Sequence, residues 1–131
     1  MTNRSLALEL VPGLYTVCRL DAGASLPSWA GAGPFTSVTW TDAELSIVCA
    51  QEAVPTGVRS ERDWRCLRVK GPLGFGMTGV LASLAAPLAS SGVSIFVVST
   101  FDTDYVLVKQ SALEAARVAL QAAGHRFVQP C

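Results

Sequence analysis

With 131 residues, 50% of them hydrophobic and 8% aromatic, the chain can bury a real core in one compact domain or two small interlocked ones. Lys+Arg and Asp+Glu both number 10, so the net charge is zero; this argues against nucleic acid or an acidic membrane surface as partner, since either needs a basic face. Charged residues make up only 15%, below the usual quarter, so some apolar surface is expected to be covered by a partner such as a second copy.

Residues 5–10 (SLALEL) alternate weakly and suit an edge strand, and Pro12-Gly13 reads as a turn. Leu14–Leu20 is rich in Tyr, Thr, Val and Cys, a strand composition. Residues 21–33 form a loop of Ala, Gly and Pro with room for one helical turn near Pro27–Trp29. Phe35–Trp40 and Glu44–Ala50 read as two strands joined by a tight Thr-Asp-Ala turn, and residues 51–63 as a polar connector between halves.

The second half is more regular. Trp64–Lys70 is a strand with Leu67 and Val69 on one face and Trp64, Cys66 and Arg68 on the other. A helix over about 78–90 carries Val80, Leu81, Leu84 and Leu88 at helical spacing, with Thr78 as expected N-cap and Gly92 as stop. Pro87 inside it removes one backbone hydrogen bond. Val93–Thr100 and Asp104–Val108 are strands apolar on both faces, which predicts that the second face of their sheet is covered. Ser111-Ala-Leu-Glu114 has the pattern of a capping box opening a helix that ends near Gly124, and His125–Val128 is a last short strand. The order β-α-β-β-α-β is the ferredoxin-like pattern, an α+β fold.

The first half echoes the second. WTDAELSIV (Trp40–Val48) lies on TFDTDYVLV (Thr100–Val108) at a constant offset of strand, Asp-containing turn and apolar strand. Two unrelated hairpins could look as alike. If the repeat is real, a truncated β-rich unit at 1–55 precedes a complete one at 60–131.

No stretch is apolar for long enough to span a membrane, because Pro87, Ser90, Ser91 and Gly92 interrupt the most hydrophobic region. No signal peptide is read at the N-terminus. Cys18, Cys49, Cys66 and Cys131 are scattered without C-x-x-C and read as reduced cytoplasmic thiols, three of them in strands as small hydrophobes. One histidine is too few for a zinc site.

Two stretches carry chemistry. Residues 70–79 (KGPLGFGMTG) join a strand to a helix start, where glycines permit close backbone approach and free helical amides attract an anion such as a carboxylate. They are no P-loop, and although Gly74, Gly76 and Gly79 have G-x-G-x-x-G spacing, the hairpin that follows does not continue a dinucleotide-binding unit. A plain structural turn is the competing reading. Ser99–Asp104 is polar between two apolar strands; Asp102 favours a turn, Asp104 could meet an ammonium group, and an Asp-x-Asp metal site lacks further ligands nearby. His125 reads as a surface or edge residue, with no nucleophile–base arrangement around it.

The run DWRCLRVKGPLGFGMTGVLASLAAPLASSGVSIFVVSTFDTDYVLVKQ resembles the ACT-domain family of amino-acid-binding regulatory modules. It is most similar to the small bacterial ACT proteins and the CASTOR-type amino-acid sensors, which pair a degenerate N-terminal ACT-like unit with this one. The likeness covers 59–128 well and 14–50 more loosely. It implies a ferredoxin-like ACT domain preceded by a truncated ACT-like unit. The protein would be a cytoplasmic, homodimeric sensor of a small-molecule amino acid, with no catalysis and no cofactor, and with a regulated protein as a further partner. Carried over by motif, the ligand-binding residues are Met77, Thr78, Gly79 and Val80 on the turn side and Ser99, Thr100, Phe101 and Asp104 on the strand side. The alternative is a ligand-free protein–protein interaction module; a weaker third reading is a small enzyme using His125 or an aspartate.

Overall fold

The structure, a computed structural model, describes residues 5–71 and 78–128. Its elements run β1 (Ala7–Leu20), β2 (Ser37–Trp40), β3 (Leu45–Ala50), β4 (Ser60–Val69), α1 (Val80–Ser90), β5 (Ile95–Ser99), β6 (Asp104–Lys109), α2 (Leu113–Ala122) and β7 (Arg126–Val128). The chain divides into two compact units, Met1–Val11 with Arg65–Cys131, and Pro12–Trp64. Both draw on β1 and β4: the chain enters the 12–64 unit within β1 and leaves it within β4. The expected turn at Pro12-Gly13 is instead part of one strand, which passes through Gly13 at φ 94°.

In the unit containing residues 65–128, β4-α1-β5-β6-α2-β7 has the expected βαββαβ order and is ferredoxin-like. Its sheet carries one addition. The strand order is β5-β6-β4-β1, and β7 pairs parallel with Ala7–Glu9 of β1. The weakly patterned N-terminal residues are therefore an interior strand of this sheet rather than an edge. The helices cover one face: Val80, Leu84 and Leu88 of α1 and Ala116 and Leu120 of α2 pack on Leu8, Leu67, Val69, Val106 and Val108. On the opposite face Cys66 and Leu107 are fully buried, as strands apolar on both sides require. Glu9 is buried there too, paired at 3.0 Å with the Arg68 guanidinium.

Both helices stop by the same device. Gly92 and Gly124, at φ 72° and 98°, each donate to the carbonyl three residues back, and the next amide reaches the carbonyl five back (Val93 to Leu88 at 2.9 Å, His125 to Leu120 at 3.0 Å). The helix starts differ from the sequence expectation. Gly79, in the left-handed region, occupies the N-cap position of α1 in place of Thr78, and no side chain caps it. Ser111 lies in a 3-10 turn (Gln110–Ala112), Ala112 is at the N-cap position of α2, and Glu114 bonds Arg117 instead of reaching back.

His125 is the largest departure. It is 4% exposed, not a surface residue. The Leu6 amide donates to its Nδ1 at 3.1 Å, so Nε2 carries the ring proton and donates to the Ser83 carbonyl at 2.9 Å. That carbonyl is the one whose helical donor would be residue 87, and proline has no N–H. His125 thus supplies the hydrogen bond that Pro87 removes.

In the 12–64 unit β3 lies between β2 and β1, antiparallel to both. No full helix follows β1; a 3-10 turn (Ser28–Gly31) stands in its place. Cys18, Ala30, Leu45, Ile47 and Cys49 form the core, with Trp29 and Val38 packed against it.

Replacing His125 by Ala orphans two backbone groups and is expected to cost about 2–4 kcal/mol in urea denaturation. In a Pro87→Ala background the helix can satisfy Ser83 itself, so the same replacement should cost ~1 kcal/mol less; a double-mutant cycle with zero coupling would overturn the assignment.

Candidate functional site

The strand-side residues gather at one end of the β5–β6 hairpin. Ser99 and Asp104 are its last cross-strand pair. Beyond them Thr100 closes the turn on Thr103: the Thr100 amide donates to the Thr103 carbonyl at 2.8 Å, the Thr100 hydroxyl donates to the same oxygen at 3.1 Å, and the Thr103 amide donates to Thr100 Oγ1 at 3.3 Å. Thr100 therefore does the work expected of Asp102, which is exposed at the tip. Phe101 is 78% exposed beside it, and Asp104 is half-buried.

The turn-side residues are Thr78 and Gly79, both exposed, and Val80, whose side chain is buried in the helix–sheet core, leaving its backbone amide as the group a ligand could meet. Met77 and residues 72–76 lie outside the described residues. α1 has no acidic residue in its first turn and no side-chain cap, so nothing there opposes an anion.

Beside the strand-side group stands Thr103, a residue the sequence did not single out. It is 4% exposed, and its hydroxyl donates at 2.6 Å to the carbonyl of Val69, the last residue of β4. The bond holds the hairpin end against the strand from which the glycine-rich stretch departs. The adjacent Lys70 amide is fixed in turn to the Ala7 carbonyl at 2.8 Å. A buried threonine in a turn was the only available signal, since the motif S-T-F-D-T-D offers four other polar groups that look equally suited.

The hairpin of the first half is closed in the same way. The Thr41 amide donates to the Glu44 carbonyl at 2.9 Å, and the Glu44 amide donates to Thr41 Oγ1 at 3.1 Å. Thr41 therefore corresponds to Thr100 and the Trp40–Leu45 pair to Ser99–Asp104, an alignment shifted one residue from that read in the sequence. It places Leu45 where the second hairpin has Asp104, so the first hairpin lacks the carboxylate.

Among the described residues no three His, Cys, Asp or Glu side chains gather as a metal site. His125 has both ring nitrogens engaged by backbone. Cys18, Cys49 and Cys66 are buried free thiols. Burial pushes Cys66 up to about 12 and Cys49 up to about 11, and raises Cys18 as well.

Residues 59–122 match the sequence model of the ACT domain, and residues 13–57 match that of an N-terminal domain. The cytosolic arginine sensor for mTORC1 subunit 1 of Rattus norvegicus is 32% identical over 112 residues, 74% of this chain and 34% of that protein. Its human counterpart is 39% identical over 59 residues, 18% of its length, so the matched part spans about a third of the first relative and less of the second. A crystal structure of a protein from Agrobacterium tumefaciens is 41% identical, with TM-score 0.92, covering 98% of this chain and 96% of that one. The ligand-free regulatory subunit of aspartate kinase from Thermus thermophilus shares the fold at 15% identity and TM-score 0.60, covering 92% of this chain and 99% of its own.

Thr103→Val keeps the shape and removes the donor to Val69; the expected loss is about 1–3 kcal/mol by urea denaturation, larger than for Thr100→Val, whose hydroxyl is not buried. The raised thiols make a second prediction. Unfolded thiols titrate near 9, so the contribution of Cys49 and Cys66 to stability is complete below pH 9 and is lost as pH rises through about 11–12, at up to ~1.4 kcal/mol per pH unit for each of the two. Stability measured in urea across this range should fall less steeply in Cys66→Ala than in the unaltered protein, and the three buried thiols should resist alkylation until the protein unfolds.

Proposed function

Because the chain belongs to the ACT-domain family, we propose that its role is regulatory, through binding a small free amino acid, with no chemistry of its own. The observation that carries this reading is the Thr103–Val69 bond, which fixes the polar hairpin end beside the strand leading to the uncapped start of α1. The ligand carboxylate sits on the amides at Thr78–Val80. Its ammonium meets Asp104 or the carbonyls of Ser99, Thr100 and Phe101. The protein acts in the cytoplasm as a homodimer and passes the signal to a protein partner. Residues 1–55 serve as the degenerate ACT-like unit that accompanies the complete domain at 60–131. A relative that is a cytosolic arginine sensor makes arginine the first ligand to test.

The second reading, a ligand-free interaction module, draws on Phe101, a large aromatic side chain 78% exposed at the hairpin tip.

A thermal-shift panel of the amino acids at millimolar concentration separates the two. A ligand at ~100 times its dissociation constant adds about 2.7 kcal/mol of stability. The expected outcome is a shift selective for one amino acid and lost in Asp104→Asn. A shift that survives Asp104→Asn unchanged would show the ligand placement to be wrong, and a flat panel would favour the interaction module.

A further inference from the structure

We propose that the 12–64 unit holds a small-molecule site of its own, independent of the one above, that takes a small zwitterion with a short apolar body. The site is a cavity of about 310 Å³ bounded by the Pro12–Tyr15 part of β1, the 33–34 turn, Ala50–Glu52 and Arg62. That volume is at the low end for ligand sites, and about ten times the ~30 Å³ of one water, far above an ordinary packing gap.

The walls are fixed by constraints that a packing defect would not need. Gly33, at φ 91°, approaches Ala50 so closely that a Cβ would lie 2.8 Å from the alanine methyl. Gln51 spends its whole side chain on Asp63: its amide NH₂ donates to Oδ1 at 2.9 Å, and its oxygen accepts the Asp63 backbone N–H at 2.6 Å. Asp63 has φ 69°, the one positive value at a non-glycine among the described residues, so this grip holds a strained backbone beside Arg62. Tyr15, 1% exposed, is set by its hydroxyl bond to the Pro12 carbonyl (3.0 Å) and by edge-on packing with Phe35 at 6.0 Å.

The charged groups of the lining are one cation, Arg62, and one anion, Glu52. A ligand carrying both signs matches them, carboxylate to guanidinium and ammonium to carboxylate, while Leu14, Pro12 and Pro34 offer the apolar surface between. The first hairpin has Leu45 in the place of Asp104, so the carboxylate on this cavity comes from Glu52.

Backbone amide spectra of the full chain, titrated with each of the twenty amino acids, test the site. The expected result is saturable shifts at Gly13, Gly33, Gln51 and Glu52. They should be absent with the N-acetyl and methyl-ester forms of the amino acid that binds. Arg62→Gln or Glu52→Gln should each weaken binding about tenfold, the loss of one charge-assisted bond, and Asp104→Asn should leave it intact. The proposal is overturned if no amino acid moves these amides, or if the shifts persist unchanged in both charge variants. Shifts confined to Thr78–Val80 and Ser99–Asp104 would overturn it while leaving the reading of the other site standing.

Discussion

Much of the second unit depends on where one imidazole sits. A proline in the fourth position from the end of α1 leaves the Ser83 carbonyl without its helical donor. An unpaired buried carbonyl costs about as much as a lost hydrogen bond, so the donor must come from elsewhere. The glycine-terminated end of α2 delivers His125 to that carbonyl, and the other ring nitrogen takes the Leu6 amide. One side chain thus joins α1, the approach to β1 and the α2–β7 corner. The Arg126 amide, donating to the Leu6 carbonyl at 3.0 Å, continues the same join into the sheet. It secures β1 next to β7, a position that a plain βαββαβ unit would leave to β4.

This explains what the sequence disclosed and what it did not. Helical spacing at Val80, Leu84 and Leu88, the stop at Gly92 and the two-faced strands are local patterns, and they predicted α1, β5 and β6 closely. The interior place of Ala7–Val11 is a long-range pairing with residues more than a hundred positions away, and a strand of weak alternation carries no mark of it. His125 reads as an edge residue because it directly follows a helix-stopping glycine; its partners, Leu6 and Ser83, are far from it in sequence. The capping pattern at Ser111 failed for a related reason. The chain leaves β6 through a 3-10 turn that uses Ser111 before α2 begins, and Glu114 finds Arg117 on its own helix face.

The two hairpins show how a repeat can keep its geometry and lose its chemistry. Thr41 and Thr100 close their turns with the same bonds, and Ile47 and Val106 occupy equivalent core positions. An alignment of Glu44 with Asp104 sets the two halves one residue out of register, because the threonine that forms the turn, not the acidic residue, marks the equivalent position. In a strand a one-residue error exchanges the faces, so it would have set Ile47 against Leu107, on the side away from the helices. The correct register exchanges Asp104 for Leu45 and so separates the units: one hairpin ends in a carboxylate, the other in a buried leucine.

Thr103 and Asp104 divide the tasks of holding and presenting between adjacent residues. Thr103 turns inward to Val69 and is almost wholly buried, while Asp104 stays half-exposed on the other side of the strand. Because successive strand residues face opposite ways, the bond that anchors the hairpin end also aims the carboxylate. A side chain aimed by such an anchor loses little freedom when a ligand arrives, and affinity that would otherwise go into ordering the loop remains available for the contact itself. The same reasoning applies to the cavity of the first unit, where Gln51 holds Asp63 and thereby sets the strand position of Arg62. In both units a polar side chain that faces the protein, rather than the ligand, decides where the charge that faces outward can be.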